Sequence, residues 1–151
     1  MQTDINSPKG KLVLRTLAMP NDTNPYGHIF GGWSMSQMDL AGGILAREIA
    51  KCRVVTVNAS HITFFKPIMV GDIVCCYARC LKTGTTSITI EIEVWVKKII
   101  NSAHIQRYCV TNGIFTYVAT DQNSHPQPIE KQYQQFDCQK DDMSKLDLSD
   151  A

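Results

Sequence analysis

The sequence contains no long apolar run and carries almost no net charge. No segment approaches the ~18 consecutive apolar residues that a membrane-spanning helix requires, and the first residues, MQTDINSPKGK, lack the apolar core of a secretory signal peptide. A formal net charge of +1 excludes the strong positive field on which sequence-independent nucleic-acid binding depends. We therefore expect a cytoplasmic protein with no membrane span and no nucleic-acid partner.

The sequence also lacks the common metal-binding or redox motifs of cysteine and the nucleophile motif of serine hydrolases, although six cysteines are present. None of these cysteines belongs to a C-x-x-C pair, and disulfide-stabilised secreted domains are typically shorter and richer in loops. We therefore expect small core side chains in a reducing compartment, and no metal site. The serines lack the G-x-S-x-G nucleophile motif, which argues against a serine hydrolase.

Length and composition predict a single domain. A chain of 151 residues, 44% hydrophobic and 19% charged, is large enough for one core and too short for a natural division into two domains. We interpret residues 1–10 as a flexible lead-in and residues 11–122 as the folded domain. Residues 123–151 are expected to form a polar C-terminal tail with at most a short helix.

Hydrophobic periodicity predicts one long helix from Gly31 to Ala50. Apolar and small residues recur there at alternating spacings of three and four, which mark one helical face. Gly42 and Gly43 lie in the helix interior, where each costs about 1 kcal/mol relative to alanine. We therefore expect close packing of the helix against a sheet or a neighbouring subunit. The predicted face consists of Met35, Met38, Gly42, Leu45 and Ile49.

Strand patterns account for most of the remaining sequence. β-branched and aromatic residues dominate these segments, and residues 86–100 alternate strictly between apolar and polar positions. One helix after the first strand, followed by four strands, predicts an α+β fold in which a curved antiparallel sheet wraps around the central helix. The edges of such a sheet need protection, which favours pairing of two copies. The predicted strands are 11–19, 53–65, 73–81, 86–100 and 107–120.

The most informative segment is a turn-rich loop, residues 20–28, that leads almost directly into Gly31 and Gly32. The first N–H groups of a helix have no internal partners and favour an anion. Without side chains on the two glycines a substrate carbonyl can approach the backbone, and one such donor stabilises a developing oxyanion by about 3 kcal/mol. Tight packing of the helix on the sheet explains the same glycines equally well.

Three stretches resemble the YciA-type acyl-CoA thioesterases of the hotdog superfamily: TLAMPNDTNPYGHIFGGWSMSQMDLAGGILA, TFFKPIMVGDIVCCYARCLKTG and SITIEIEVWVKK. The resemblance runs in register from about residue 11 to residue 121. It implies a hotdog fold, no cofactor, and hydrolysis of acyl-CoA to a fatty acid and free CoA. It also implies homodimers that assemble further, often into hexamers, with active sites between the two subunits of a dimer.

The sequence departs from this family immediately before Ile29-Phe30-Gly31-Gly32. Similar proteins usually carry Asp there, and the resemblance assigns that residue to activating water or attacking the thioester, whereas this chain carries His28. A neutral imidazole can accept a proton from water near neutral pH, so His28 is a candidate general base. The alternative is a solvated loop histidine in a protein of reduced activity. Two further departures are Ser60-His61, where relatives tend to be acidic, and Thr85, where they often have Arg.

Two other residues are candidates for catalysis. Asp39 lies on the helix at an offset from Gly31 where some other hotdog thioesterases place a catalytic carboxylate, and such a group is costly to bury unless it is paired or used. A partly exposed Asp39 bonded to a neighbouring segment is an equally good interpretation. Asn24 is a candidate for orienting water or the thioester, although it also suits a turn before Pro25. The candidates for substrate binding are Phe30, Trp33, Lys66, Lys82, Ser87 and Arg107.

Two other functions are consistent with the same residues. A hotdog dehydratase uses a histidine and a carboxylate across a dimer, and His28 with Asp39 resembles that pair, although the surrounding motif differs. A non-catalytic acyl-CoA-binding protein would keep the groove without a base. A CoA-release assay distinguishes these functions from hydrolysis.

Overall fold

The computed structural model describes residues 7–130, which contain one long helix and five strands. The order agrees with the predicted β-α-β-β-β-β succession, and the helix has the predicted bounds. A short 3₁₀ turn, Pro20–Asp22, lies between the first strand and the helix. The elements are β1 (Lys11–Leu17), α1 (Gly31–Ala50), β2 (Arg53–Phe64), β3 (Ile73–Thr83), β4 (Ser87–Asn101) and β5 (His104–Thr120).

The five strands form one antiparallel sheet in the order β1-β3-β4-β5-β2. α1 contacts all five strands, as expected when a sheet wraps around a helix, so the predicted α+β arrangement is confirmed. β1 and β2 form the edges, and β2 has no strand on its outer side within residues 7–130. The same edge strand exposes Val55, Val57 and Phe64.

One face of α1 is buried against the sheet, but the face differs from the predicted one at its first turn. Met35 was expected to be buried and is 37% exposed. Trp33 and Ser34 of the same turn occupy the buried positions instead, so they take the place that the spacing assigned to Met35. The buried residues of the helix are Trp33, Ser34, Met38, Ala41, Gly42, Leu45, Ala46, Ile49 and Ala50.

Gly42 marks the closest approach of α1 to the sheet. A Cβ atom added there would lie 2.8 Å from Cδ1 of Ile92 and would overlap the hydroxyl of Tyr117. Packing against the sheet therefore explains this glycine, and a neighbouring subunit is not needed. Gly43 differs, because its added Cβ would meet only Cε1 of Tyr117 at 3.7 Å, an ordinary contact.

Both ends of the predicted domain extend further than the sequence indicated. Before β1, the backbone N–H of Lys9 donates to Oε2 of the buried Glu93 (3.1 Å). After β5, Ile129 lies in the core with 1% exposure, and its N–H donates to the carbonyl of Thr85 (2.8 Å). The segment up to residue 129 is therefore hydrogen-bonded to the domain and ends in the buried Ile129, although most of its other side chains are exposed. Residues 1–6 and 131–151, which the other terminal predictions concern, lie outside the described residues.

The cysteines only partly match the expectation of free core thiols. Cys75 and Cys76 are buried and free, and Cys52 and Cys109 are partly exposed and free. Burial, and to a smaller extent the neighbouring Cys75, raises the pKa of Cys76 to about 12. This thiol is therefore unreactive at neutral pH. Cys80 is disulfide-bonded, which the sequence analysis did not predict. Within residues 7–130 no helix is long and apolar enough to cross a membrane.

We expect Gly42→Ala to lower the free energy of unfolding by about 1–3 kcal/mol, because the added methyl group overpacks the contact with Tyr117 and Ile92. Gly43→Ala is the matched control and should be neutral or stabilising by up to about 1 kcal/mol, since it adds helix propensity without overlap. Urea unfolding at one fixed protein concentration measures both. Equal effects of the two substitutions would contradict the packing argument.

Candidate active site

The loop before α1 is organised by Asn24. Its Oδ1 accepts hydrogen bonds from the backbone N–H groups of Tyr26 (2.9 Å) and His28 (3.1 Å). Gly27 adopts φ +84, a left-handed conformation that glycine tolerates best. The N–H of Ile29 donates to the carbonyl of Ile68 (3.0 Å), which ties the loop to the β2–β3 connection. The Nδ2 of Asn24 has no hydrogen-bond partner within the described chain and is available to a ligand.

The first turn of α1 begins without a side-chain cap. Phe30 occupies the N-cap position and offers no side-chain acceptor, while its carbonyl accepts from the N–H of Trp33 (3.1 Å). The N–H groups of Gly31 and Gly32 have no acceptor among residues 7–130. A Cβ added at Gly32 would touch only the Phe30 ring, at 3.4 Å. Two amide donors therefore stand free at the positive end of the helix dipole.

A cavity of about 340 Å³ lies beside this helix start. It brings together four of the predicted site residues: Asn24, His28, Gly31 and Lys66. His28 is exposed, and its ring has no hydrogen-bond partner in the part of the chain that the structure describes. The remaining lining residues are Ile29, Ser34, Phe64, Phe65, Pro67, Ile68 and Thr111.

Asp39 lies in a second cavity, of about 470 Å³, further along α1. The hydroxyl of Thr56 donates to Oδ1 of Asp39 (2.5 Å). The hydroxyl of Tyr117 donates to the main-chain oxygen of Asp39 (2.9 Å) and lies 3.3 Å from Oδ1. Burial and the adjacent Asp39 raise the pKa of Tyr117, so its hydroxyl keeps its proton at neutral pH. The carboxylate is thus half-buried, oriented and hydrogen-bonded.

The predicted catalytic residues therefore separate into two groups within one chain. Asn24, His28 and Gly31 line the first cavity, whereas Asp39 lines only the second. Because His28 and Asp39 lie in separate cavities of one chain, a pairing of the two, such as a dehydratase forms across its dimer, would require a second subunit.

The predicted substrate-binding residues are dispersed. Phe30 is 43% exposed and lies against Gly32, whereas Trp33 belongs to the core. Lys82 and Ser87 flank the β3–β4 turn, and Arg107 lies opposite Lys97 in the register of the β4–β5 hairpin. These last three line neither of the two cavities described above, and their contact with substrate stays a prediction. Only Lys66 reaches the cavity at the helix start.

Sequence reasoning missed Thr56 and Tyr117. They lie 17 and 78 residues from Asp39 and face each other as cross-strand partners of β2 and β5. Only the register of these two strands brings both hydroxyls to one carboxylate. Each of the two is an ordinary strand residue when taken alone, so no local signal in the sequence marks this contact.

Comparison with known proteins defines the family. Residues 26–103 match the model of the thioesterase superfamily. The acyl-CoA thioester hydrolase YciA of Salmonella typhimurium is 60% identical over 85% of this chain and 97% of its own length. An aspartate-to-alanine variant of a hexameric, broad-specificity acyl-coenzyme A thioesterase has a TM-score of 0.79 and 57% identity, covering 84% of this chain and 91% of that one.

A more distant enzyme has been solved with ligands. An acyl-CoA hydrolase from Staphylococcus aureus, in complex with butyryl-CoA, CoA and CoA disulfide, has a TM-score of 0.70 and 28% identity, covering 77% of this chain and 69% of that one. Two further structures of that hydrolase are alanine variants, one at an aspartate and one at an asparagine. The chain belongs to the YciA family of hotdog-fold acyl-CoA thioester hydrolases.

Proposed function

We propose that the protein hydrolyses acyl-CoA thioesters to a free fatty acid and CoA, by attack of water at a site between two subunits. The observation that carries this proposal is the uncapped start of α1, where the N–H groups of Gly31 and Gly32 stand free beside a cavity lined by Asn24 and His28. Preorganised donors of this kind stabilise the oxyanion that forms when water adds to a thioester carbonyl. The named activity of the relatives supports the same reaction.

The unpaired edge of β2 explains how one site draws on two chains. A second copy that continues the sheet along β2 pairs with it antiparallel about a two-fold axis, so each end of β2 lies beside the opposite end of its partner. The cavity with Gly31 adjoins Phe64 at one end, and the cavity with Asp39 adjoins Thr56 near the other. Pairing therefore brings Asp39 of one subunit toward the Gly31 cavity of the other.

Residue spacing in the Staphylococcus aureus hydrolase supports Asn24 and Asp39 as the catalytic pair. The aspartate replaced in one variant of that enzyme follows the asparagine replaced in another by as many residues as Asp39 follows Asn24. The hydrogen bond from Thr56 also orients the Asp39 carboxylate, beside which the Tyr117 hydroxyl lies, whereas nothing in the described chain orients the ring of His28. We therefore assign the general base to Asp39 and treat His28 as the alternative.

The reaction then follows from the geometry. The Asp39 carboxylate accepts a proton from water while the water oxygen forms a bond to the thioester carbonyl carbon. The N–H groups of Gly31 and Gly32 hold the oxyanion, and Nδ2 of Asn24 donates to the carbonyl or the water. When the carbonyl re-forms, the C–S bond breaks and CoA leaves as a thiolate that takes up a proton.

The family and its substrates also suggest how the chains assemble and where the protein is located. A β2–β2 contact closes a dimer and cannot by itself build a larger assembly. Because related thioesterases are hexameric, we propose that the dimers associate further, to a hexamer. We also propose a cytoplasmic location, since acyl-CoA substrates are made and used inside the cell.

We expect Asp39→Asn to reduce kcat for CoA release by about a hundredfold or more, as loss of a general base does. His28→Ala should reduce it far less. A thiol-trapping assay for free CoA, with each variant's unfolding midpoint as the folding control, makes the comparison. A wild-type protein that binds acyl-CoA without releasing CoA would contradict the proposed hydrolysis and indicate a binding protein.

The dependence of kcat on pH separates the two bases. A carboxylate base has lost its proton well below neutrality, so the wild-type rate should stay flat from about pH 6 to pH 8. An imidazole base would instead give a rate that rises with pH in this range and a His28→Asp variant that lacks the rise. A wild-type rate that rises with pH in this range, together with a His28→Asp variant whose rate does not, would identify His28 as the general base.

We expect Gly32→Val to lower kcat by roughly a hundredfold or more, because its side chain obstructs the carbonyl's approach to the free N–H groups. The open space around Gly32 should leave the unfolding midpoint nearly unchanged. Near-normal kcat in this variant would show that no carbonyl binds at the helix start.

Hybrid dimers test the inter-subunit site. A dimer that combines one Asp39→Asn chain with one Gly32→Val chain contains one site with both defects and one site with neither. Random mixing of the two inactive variants, by co-refolding, should therefore restore roughly a quarter of the wild-type activity. If Asp39 and Gly32 of the same chain served one site, every hybrid site would be defective and no activity would return.

A further inference from the structure

Among the described residues, Lys66 is the one lysine or arginine that lines the cavity beside Gly31. Its ammonium group lies over the ring of Tyr108, with Nζ 4.8 Å from the ring centroid, a geometry in which the negative face of the ring attracts the cation. The backbone at this position is also tied down, because the N–H groups of Phe65 and Lys66 both point to the carbonyl of Val110 (2.8 and 3.4 Å). The lysine is exposed, and the ring of Tyr108 places its ammonium group beside the cavity.

The ring beneath Lys66 is itself fixed. The ammonium of Lys98 interacts with the side chain of Tyr108 and lies 3.5 Å from Oδ1 of Asp72. Asp72 is buried, and its other carboxylate oxygen accepts from the N–H of Met69 (2.9 Å). Burial lowers the pKa of Lys98, but its interactions with Tyr108 and with the charge of Asp72 outweigh this effect and raise the pKa.

These contacts give Lys98 a counter-ion and leave the ammonium group of Lys66 without one. Asp72 is the counter-ion of Lys98, whereas Lys66 has no carboxylate within salt-bridge distance in residues 7–130. A cation that is oriented in advance and lacks a counter-ion is suited to an anion arriving with the substrate, since little side-chain freedom is lost on binding. CoA carries such anions, a diphosphate and a 3′-phosphate, at the end remote from the thioester.

We propose that Lys66 binds a phosphate group of the CoA moiety and that Tyr108, braced by Lys98 and Asp72, is the residue that positions it. This inference rests on the proposed function, because it concerns the substrate of the same cavity. Of the three cations that the sequence suggested, Lys66 is the one whose ammonium lies over an aromatic ring within residues 7–130. Tyr108 acts on the substrate only through Lys66.

Substrates that differ only in their phosphates test the role of Lys66. We expect Lys66→Met to raise KM for an acyl-CoA by about tenfold or more, the usual effect of losing a charge-assisted contact, with little change in kcat. The same acyl group on pantetheine, which has no phosphate, should show the same KM for variant and wild type. Lys97→Met removes a nearby strand lysine that lines neither of the two site cavities and should leave both KM values unchanged.

The corresponding dephospho-CoA thioester assigns the phosphate. A KM penalty of Lys66→Met that persists with this substrate indicates the diphosphate, and a penalty that disappears indicates the 3′-phosphate. An unchanged KM for acyl-CoA, or an equal rise with acyl-pantetheine, would overturn the proposal. If the wild type hydrolyses neither thioester, the proposed function fails, and calorimetric binding of CoA and of pantetheine makes the same comparison without turnover.

The positioning role of Tyr108 has its own test. Tyr108→Leu removes the ring and should reproduce the rise in KM for acyl-CoA, whereas Tyr108→Phe keeps the ring and should show a smaller rise. Because Tyr108 acts through Lys66, adding Tyr108→Leu to Lys66→Met should raise KM no further. Additive effects of the two substitutions, or a rise with acyl-pantetheine in Tyr108→Leu, would show that Tyr108 supports the site in another way.

Discussion

The contact of Gly42 with Tyr117 is the constraint on which the rest of the structure depends. The missing side chain lets α1 approach β5 closely enough for the tyrosine hydroxyl to occupy that space. The same hydroxyl donates to the main-chain oxygen of Asp39, one turn earlier, and lies beside its carboxylate. The depth at which the helix sits in the sheet and the orientation of the proposed base are therefore set together, and a larger residue at position 42 disturbs both.

A single chain holds two incomplete halves of the proposed site. The donors that stabilise negative charge lie at the start of α1, and the oriented carboxylate lies in another cavity two turns further along. With Asp39 as the proposed base, neither half combines the base with the free N–H groups. The edge strand β2 runs beside both cavities. In the proposed dimer, the contact that covers its exposed valines also brings the two halves of the site together.

Features encoded over a few residues were predictable, and features that depend on distant partners were not. The bounds of α1, the succession of helix and strands along the chain, and the loop leading into Gly31 follow from spacing and turn residues that lie close together in sequence. The partners of Asp39 require the register between β2 and β5, which places Thr56 opposite Tyr117 and leaves no local trace. Met35 shows the same limit within a helix, because the fit of the bulky Trp33 against the sheet decided which residue of that turn is buried.

The hydrogen bond from the backbone of Lys9 to Glu93 limits where the amino-terminal region can be truncated or fused to a tag. Glu93 is 3% exposed and accepts hydrogen bonds from the indole of Trp95 (2.9 Å) and from the backbone of Lys9 (3.1 Å). Gly10 brings the chain there at φ +89, against the carbonyl of Ala78, where no Cβ atom fits. Truncation to Lys11 would withdraw one of these two donors from a carboxylate shielded from water, at a cost of about 1–3 kcal/mol. An affinity tag is therefore better joined before residue 9, with Lys9 and Gly10 kept as the native hinge into β1.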